Sequence, residues 1–130
     1  MILIDTSVWV EFLRGTGSAA DERIDRLLAD DSPMATTDVV LMELLAGAGE
    51  QRHRQHLRKL LARCEFIAVE GPGDYERAAG IYRACRRGGE TVRKLTDCLI
   101  AQVAMRSDCE LLHADGDFSA IARHVPLGLA

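Results

Sequence analysis

Features that would direct a chain into a membrane or out of the cell are missing from this sequence. No apolar run approaches the ~20 residues that a helix needs to cross a bilayer. The first residues, MILID, lack the basic start and the long apolar segment of a signal peptide. The 130 residues, of which 48% are hydrophobic and 28% charged, suffice for one domain with a buried core. We therefore expect a cytoplasmic protein with one domain over residues 1–130 and no contact with a membrane.

Cysteine and histidine are scarce and form no metal-binding pattern. The four cysteines make no CxxC pair and lack the spacing of a zinc ribbon, so we expect buried thiols that pack as small hydrophobic groups. His53 and His56 lie three residues apart, but no cysteine or acid stands beside them at ligand spacing. That arrangement favours a solvated helix face over a zinc site.

The sequence also lacks an excess of positive charge. Its net charge of −4, from 16 basic and 20 acidic residues, argues against binding of nucleic acid over the whole surface. Basic residues nevertheless gather in two segments, QRHRQHLRKLLAR and RACRRGGETVRK, and each alone is typical of a solvated helix face. If a nucleic acid does bind, we expect its phosphates to contact the second segment, through Arg86, Arg87, Arg93 and Lys94.

Short apolar segments alternate with amphipathic helical patterns along the chain. MILID, MATT, CEFIAVEG and CELLHA have the length of buried strands, and VPLGLA is a possible edge strand. The alternation predicts an α/β fold, in which a parallel sheet of four to five short strands lies between helices. In such sheets, functional groups collect beyond the carboxyl ends of the strands.

Polar residues mark the expected helix starts. Thr6 or Ser7 would cap the helix after the first strand, and Asp74 would cap the helix YERAAGIYRACRRGG. A nearly all-apolar helix is expected over residues 93–106, where DCLIAQVAM has one polar side chain after its aspartate.

Four acids stand in segments that otherwise have the character of a buried core. Asp5 follows MILI, Glu43 lies within VVLMELLAG, Asp97 leads DCLIAQVAM, and Asp115 closes CELLHA. Each has a purely structural alternative. Asp5 could cap a helix, Asp97 could cap its own helix or pair with a neighbouring basic residue, Asp115 could serve a turn, and Glu43 could fill a polar slot. It is less plausible that all four alternatives hold together.

A shared cation would explain the four acids at once. Two like charges ~4 Å apart repel by about 4 kcal/mol at an effective dielectric constant near 20, so converging carboxylates need a positive ion. Carboxylate oxygens without imidazole or thiolate select Mg²⁺ or Mn²⁺. Such an ion can activate water and bind a phosphate oxygen, which indicates metal-assisted hydrolysis of a phosphodiester.

The stretch LLHADGDF poses a separate question about Asp117. Asp-Gly is a common turn pair, because glycine adopts positive φ freely and aspartate bonds to nearby backbone. Asp115 and Asp117 straddle Gly116. The stretch alone therefore predicts a turn, and Asp117 either contributes to a metal site or only holds that turn.

The chain resembles PIN-domain ribonucleases, and most of all the VapC toxins of bacterial toxin–antitoxin pairs. The resemblance rests on four motifs in order over nearly the whole chain: ILIDTSVWVEFLRG, TDVVLMELLAG, TDCLIAQVAM and LLHADGDF. It implies a three-layer α/β/α fold, an acidic pocket for Mg²⁺ or Mn²⁺, and cleavage of RNA that leaves a 3′-hydroxyl and a 5′-phosphate. Transfer RNA or ribosomal RNA is the expected target, with inhibition of translation and growth as the result.

The resemblance also assigns roles to individual positions. Asp5, Glu43, Asp97 and Asp115 match the four family acids as catalytic residues and metal ligands. Asp117 matches a further acid of the turn, whose role varies, and Thr6 or Ser7 would orient Asp5 through a hydroxyl group. Two positions depart from the family: Gly116 replaces a basic or bulky residue, and Gln102 replaces a small one.

Partners follow from the same resemblance. A VapB-type antitoxin would wrap the toxin and block its acidic pocket, and the toxin would form a homodimer within a larger toxin–antitoxin assembly.

Two other functions are compatible with parts of the pattern. A phosphatase with an aspartate nucleophile would need a second acid two residues after Asp5, where Ser7 stands. A non-catalytic PIN-fold module for binding or regulation would be indicated by loss of an acid, and all four acids are present. A metal-dependent ribonuclease is therefore the favoured prediction.

Overall fold

The computed structural model describes residues 1–130 and contains a parallel four-stranded sheet with helices around it. The strands are β1 (Ile2–Ile4), β2 (Met34–Thr36), β3 (Glu65–Phe66) and β4 (Glu110–Leu112), in the order β3-β2-β1-β4. The helices are α1 (Thr6–Arg14), α2 (Ala19–Ala29), α3 (Asp38–Gly47), α4 (Gln51–Leu61), α5 (Gly73–Arg87), α6 (Leu95–Arg106) and α7 (Gly116–Ala122). The predicted α/β fold with a short-stranded parallel sheet is confirmed.

The carboxyl end of the central strand β1 lies at the same edge of the sheet as the carboxyl ends of its neighbours β2 and β4. Leu3 of β1 pairs with Ala35 of β2 on one side and with Leu111 of β4 on the other. Because all three strands run parallel, the residues that follow them gather at one edge of the sheet. Asp5 is the first residue after β1 and lies at that edge.

The core lies on both faces of the sheet. Leu3, Ile4 and Leu111 are fully buried within the strands, and Trp9 of α1 and Phe118 of α7 are fully buried in the helical layers. Three of the four cysteines are buried and all four are free thiols, as the sequence predicts. No helix combines the length and apolar character that a bilayer crossing would require.

Helix α6 forms the most deeply buried helical wall, with every residue from 97 to 104 buried. It begins at Leu95, not at Arg93, because Lys94 has an extended backbone and precedes the first helical turn. Small residues such as Ala101 and Ala104 let neighbouring elements approach closely.

Other predicted boundaries shift in the structure. The strand expected over CEFIAVEG is limited to Glu65–Phe66, both exposed at the sheet edge, although Ile67 donates one further backbone hydrogen bond to Thr36 at 2.8 Å. VPLGLA does not form a fifth strand and contributes a single bridge between Leu129 and Leu111. Exposure at the edge removes the burial that would stabilise longer strands.

The prediction that Asp74 caps α5 is wrong. Helix α5 begins at Gly73, and the Asp74 carboxylate is buried in an ion pair with Arg106 at the end of α6. Arg106 Nε donates to the two Asp74 oxygens at 3.0 and 3.1 Å, and Gln102 Nε2 donates to one of them at 3.3 Å. Gln102 thus has a buried acceptor. Desolvation opposes ionisation of Asp74, but the Arg106 hydrogen bonds and charge hold its pKa below the ordinary value.

Replacement of Arg106 should therefore destabilise the protein strongly. In Arg106→Leu the buried Asp74 carboxylate loses its counterion, and we expect the free energy of unfolding to fall by about 3 kcal/mol in urea denaturation. Arg52→Leu is the control, because the Arg52–Glu50 pair is exposed on both sides and should contribute about 0.5 kcal/mol or less. Equal effects of the two replacements would contradict a buried ion pair between α5 and α6.

Candidate active site

Asp5 caps helix α1 while keeping one carboxylate oxygen free. Its Oδ2 accepts from the Ser7 amide at 2.9 Å and from the Ser7 hydroxyl at 2.5 Å. The predicted cap at Thr6 or Ser7 is therefore wrong by one or two residues, because Asp5 itself occupies the extended position before the helix. Asp5 Oδ1 is buried and has no hydrogen-bond partner. Burial raises the pKa of Asp5, and the Ser7 hydrogen bonds oppose that rise.

Ser7 connects two strand ends. Its hydroxyl donates to Asp5 and accepts from the Ala114 amide at 2.9 Å. Asp5 follows β1, and Ala114 follows β4, so one hydroxyl fixes the carboxylate relative to both strands. Of the two candidates for orienting Asp5, Ser7 makes the hydroxyl contact.

Thr6 instead contacts Glu43. Its Oγ1 donates to Glu43 Oε1 at 2.8 Å, which ties the first turn of α1 to the middle of α3. Glu43 is half-buried, and its charge is close enough to help raise the pKa of Lys94. Glu43, one of the four predicted acids, is thus held at the side of the site where α1 and α3 meet.

Asp97, Asp115 and Asp117 form the tightest part of the site. One carboxylate oxygen from each lies within 4.8 Å of the others. Asp97 lies in the first turn of α6 with 1% of its surface exposed, and its Oδ2 has no hydrogen-bond partner. Desolvation, a hydrogen bond with Asp117 and the charges of Asp5 and Asp115 raise the pKa of Asp97 to about 8 against the pull of Lys94.

Asp115 is the N-cap of α7, where its Oδ1 accepts from the Asp117 amide at 2.9 Å. The same oxygen accepts from Arg93 Nη2 at 2.8 Å, and Oδ2 lies 3.4 Å from Lys94 Nζ. The stretch predicted as a turn is instead the start of α7, with Gly116 and Asp117 as its first two residues, and the cap directs the Asp115 carboxylate into the acid cluster.

Asp117 holds the segment before α6 in place. Its Oδ2 accepts from the Arg93 and Lys94 amides at 3.1 and 3.2 Å, and its Oδ1 accepts from Arg93 Nε at 3.2 Å. Desolvation opposes ionisation, but a hydrogen bond with Asp97 and those from Arg93 and Lys94 keep the pKa of Asp117 below its ordinary value. Unlike Asp5 and Asp97, Asp117 has both oxygens engaged with other parts of the chain.

The basic residues of the second segment divide into two groups. Arg93 and Lys94 contact the acids from the solvent side, with 72% and 50% of their side chains exposed. Arg86 and Arg87 lie exposed in the last turn of α5, and Arg86 donates a hydrogen bond to the hydroxyl of Tyr82 on the same helix at 3.4 Å. The structure brings Arg93 and Lys94 to the acid cluster and leaves Arg86 and Arg87 on a neighbouring surface.

The donor set fits a hard divalent cation. Asp5 Oδ1 and Asp97 Oδ2 are buried oxygens without donors, and a buried charged oxygen without a partner is costly. Carboxylates alone, with no thiolate or imidazole nitrogen in the group, are typical of Mg²⁺ or Mn²⁺ ligands. Of the four acids predicted to share a cation, Asp97 and Asp115 belong to the group whose oxygens lie within 4.8 Å of one another, together with Asp117, whereas Asp5 and Glu43 lie outside that group.

A groove adjoins the site on the side of Glu43. It has a volume of about 410 Å³ and lies between α1, α3 and α4. Glu43 stands at its wall together with apolar residues such as Leu13, Leu44 and Leu57, and with Arg14, His53 and His56. His53 and His56 lie on an exposed helix face, as predicted, although that face borders the groove. The sequence does not indicate the groove, because its lining comes from three separate helices.

Comparison with known proteins gives consistent matches over almost the whole chain. Residues 2–124 match the family model of the PIN domain. VapC ribonuclease Mb1587 of Mycobacterium bovis is 45% identical over 124 residues, which are 95% of this chain and 92% of that protein. Ribonuclease VapC11 of Mycobacterium tuberculosis has the same identity and coverage.

Solved structures share the fold. VapBC2 from Rickettsia felis, bound to a DNA fragment from its promoter, superposes with a TM-score of 0.77 at 21% sequence identity. The match covers 100% of this chain and 98% of that one.

The raised pKa of Asp97 predicts how the metal-free protein responds to pH. In the unfolded chain this carboxyl would titrate near 3.8, and in the folded protein it titrates at about 8. Between these values only the folded state retains the proton, so its contribution to stability is lost as the pH rises. With EDTA present, we expect the Tm to fall from about pH 5 to about pH 8.

The Asp97→Asn variant should lose most of this pH dependence, since an amide does not titrate. Asp25→Asn, at an exposed position of α2, is the matched control and should retain it. A wild-type Tm that rises steadily over this range would contradict the assigned pKa direction.

Proposed function

Because the chain belongs to the PIN-domain family and to the VapC proteins within it, we propose that it is a metal-dependent endoribonuclease and the toxin of a toxin–antitoxin pair. The observation that carries the proposal is the pair of buried, unpartnered oxygens on Asp5 and Asp97, surrounded by further carboxylates. A divalent cation would supply the partner that these two buried oxygens lack.

Asp5 and Asp97 would hold Mg²⁺ or Mn²⁺ directly, and Glu43 and Asp115 would complete the site, in part through water. When bound, the ion supplies a polarised water and stabilises negative charge on a phosphate oxygen. Asp117 is a further candidate ligand, but its hydrogen bonds support a role in positioning the segment that carries Arg93 and Lys94.

The chain's own residues account for substrate orientation and proton transfer. Arg93 and Lys94 stand on the exposed side of the acids, so they are suited to bind the phosphates of an approaching RNA. Glu43 bonds to Thr6 through one oxygen, and its second oxygen can accept a proton from the attacking water. The water oxygen joins phosphorus while the bond to the 3′ oxygen breaks, and the 3′ oxygen takes up a proton from solvent, which leaves a 3′-hydroxyl and a 5′-phosphate.

We expect transfer RNA or ribosomal RNA as the substrate, and inhibition of translation and growth as the consequence. Arg86 and Arg87 would extend the phosphate-binding surface from the site along the end of α5. An RNA-cleaving toxin of this kind would act in the cytoplasm, as one domain over residues 1–130.

The partner we propose is a VapB-type antitoxin that covers the groove beside Glu43 and blocks the acidic site. Solved structures of the same fold include a toxin–antitoxin complex from Klebsiella pneumoniae, which supports an assembly of this type. The apolar lining of the groove, with exposed Leu13 at its edge, suits an apolar segment of such a partner. A homodimer of the toxin within the complex is part of the proposal.

The enzymatic proposal is tested by cleavage of total RNA with Mn²⁺, with EDTA and with an Asp5→Asn variant. We expect cleavage with Mn²⁺, none with EDTA, and a loss of at least ~100-fold in Asp5→Asn, because one carboxylate of the site is neutralised. Asp25→Asn, exposed on α2, should cleave as the wild type does. RNA that stays intact with both wild type and Asp5→Asn would favour the non-catalytic binding module instead.

The partner proposal is tested by co-purification with the small protein encoded beside this one. In Leu13→Arg, a charged side chain replaces an apolar contact at the groove, so the Kd for the partner should rise at least ~10-fold while RNA cleavage persists. Tyr75→Arg is the control, because Tyr75 is also an exposed apolar residue but lies on α5. Equal affinity for both variants would exclude the groove as the partner's site.

A further inference from the structure

We propose that Lys94 is a mobile substrate-positioning residue: its ammonium group neutralises the acid cluster in the metal-free protein and turns to the scissile phosphate when a divalent cation binds. The inference rests on the proposed ribonuclease function and deepens it. It follows from the location of Lys94, from the looseness of its contacts and from the rigidity of its backbone.

The Lys94 ammonium occupies the region in which a metal would be needed. Its Nζ lies 3.4 Å from Asp115 Oδ2 and 3.9 Å from Asp97 Oδ1. Although desolvation alone would lower the pKa of Lys94, the attraction of Asp97, Asp115 and Glu43 raises it. Lys94 also stabilises ionised Asp5 through its charge. The Lys94 ammonium thus lies beside two of the carboxylates, Asp97 and Asp115, as their counterion.

The contacts of Lys94 are weaker than those of its neighbour. Arg93 Nη2 lies 2.8 Å from Asp115, and Arg93 Nε lies 3.2 Å from Asp117, which are ordinary hydrogen-bond distances. The distances of 3.4 and 3.9 Å from Lys94 Nζ are longer than such bonds. Charge attraction therefore holds the ammonium without a fixed geometry, whereas Arg93 is fixed in place.

The backbone of Lys94 is nevertheless rigidly placed. Its amide donates to Asp117 at 3.2 Å, and its carbonyl accepts from the Asp97 amide at 3.0 Å. From this fixed point the flexible four-carbon stem extends with half of the side chain exposed to solvent. The ammonium can reach outward without any change in the fold.

A divalent cation and the ammonium cannot both remain at the same oxygens. At a given distance, a divalent ion repels Lys94 with twice the energy of a monovalent one, and burial reduces the screening by water. The Lys94 ammonium would then move toward solvent, which is the side from which a phosphodiester would approach. When the ammonium leaves the carboxylates and binds a phosphate oxygen, it remains paired with a negative charge.

The experiment compares Lys94→Met with wild type, using the full chain freed of metal and checked for folding by circular dichroism. Lys94→Met removes the charge and keeps the length of the stem. Mn²⁺ binding by titration calorimetry should become about 10-fold tighter, because the ion no longer displaces a cation. Lys59→Met, at an exposed position of α4, should bind Mn²⁺ as the wild type does.

RNA cleavage supplies the second measurement. In Lys94→Met, kcat/KM should fall about 10-fold at saturating Mn²⁺, with the KM for RNA rising, and Lys94→Arg should restore most of the loss. If Lys94→Met does not fold, Lys94→Gln serves in its place. Unchanged or weaker Mn²⁺ affinity would overturn the inference, and so would tighter Mn²⁺ binding with undiminished cleavage.

The metal titration needs no catalysis, so the two proposals can fail separately. If the wild type binds Mn²⁺ but cleaves no RNA, the ribonuclease proposal fails, and the phosphate contact of Lys94 fails with it. If the wild type cleaves RNA and Lys94→Met matches it in both measurements, only the inference about Lys94 is overturned.

Discussion

The crowding of carboxylates at one edge of a small sheet is the constraint on which this molecule depends. Asp5 and Asp97 are almost fully buried, each with an oxygen that has no donor, and Asp115 and Asp117 lie beside them. Burial and mutual repulsion both oppose ionisation, so the surrounding chain must compensate. The Ser7 hydroxyl, the amides of residues 93 and 94, and two basic side chains provide that compensation.

The sequence predicts much of this because acids in apolar segments are conspicuous. The strand that ends before Asp5 and the strand a few residues before Asp115 follow from short apolar runs, and the burial of Asp97 follows from the apolar helix behind it. The parallel sheet then brings strand ends together without any knowledge of side-chain contacts. Local pattern and topology are consistent here, which is why the fold and the general location of the acids were predictable.

Contacts between distant side chains were beyond prediction. Asp74 has the pattern of a helix cap, but its partner Arg106 lies 32 residues away, and only packing of α5 against α6 brings them together. The edge strand β3 is shorter than its apolar pattern suggests, because no neighbour covers it. Lys94 stands three residues before Asp97, which signals a pair of charges, but its approach to Asp115 depends on the anchoring by Asp117.

Glu43 belongs to two surfaces at once, since it contacts Thr6 beside the acid cluster and also forms part of the wall of the groove between α1, α3 and α4. A partner in the groove that moved Glu43 or changed its charge would therefore change the charge balance of the cluster, and a cation that drew Glu43 toward the cluster would change the wall of the groove. Such coupling is reciprocal: the change that one ligand makes in the affinity of the other is the same in both directions. Through the Glu43 carboxylate, binding in the groove and binding of a cation at the acid cluster would then depend on each other.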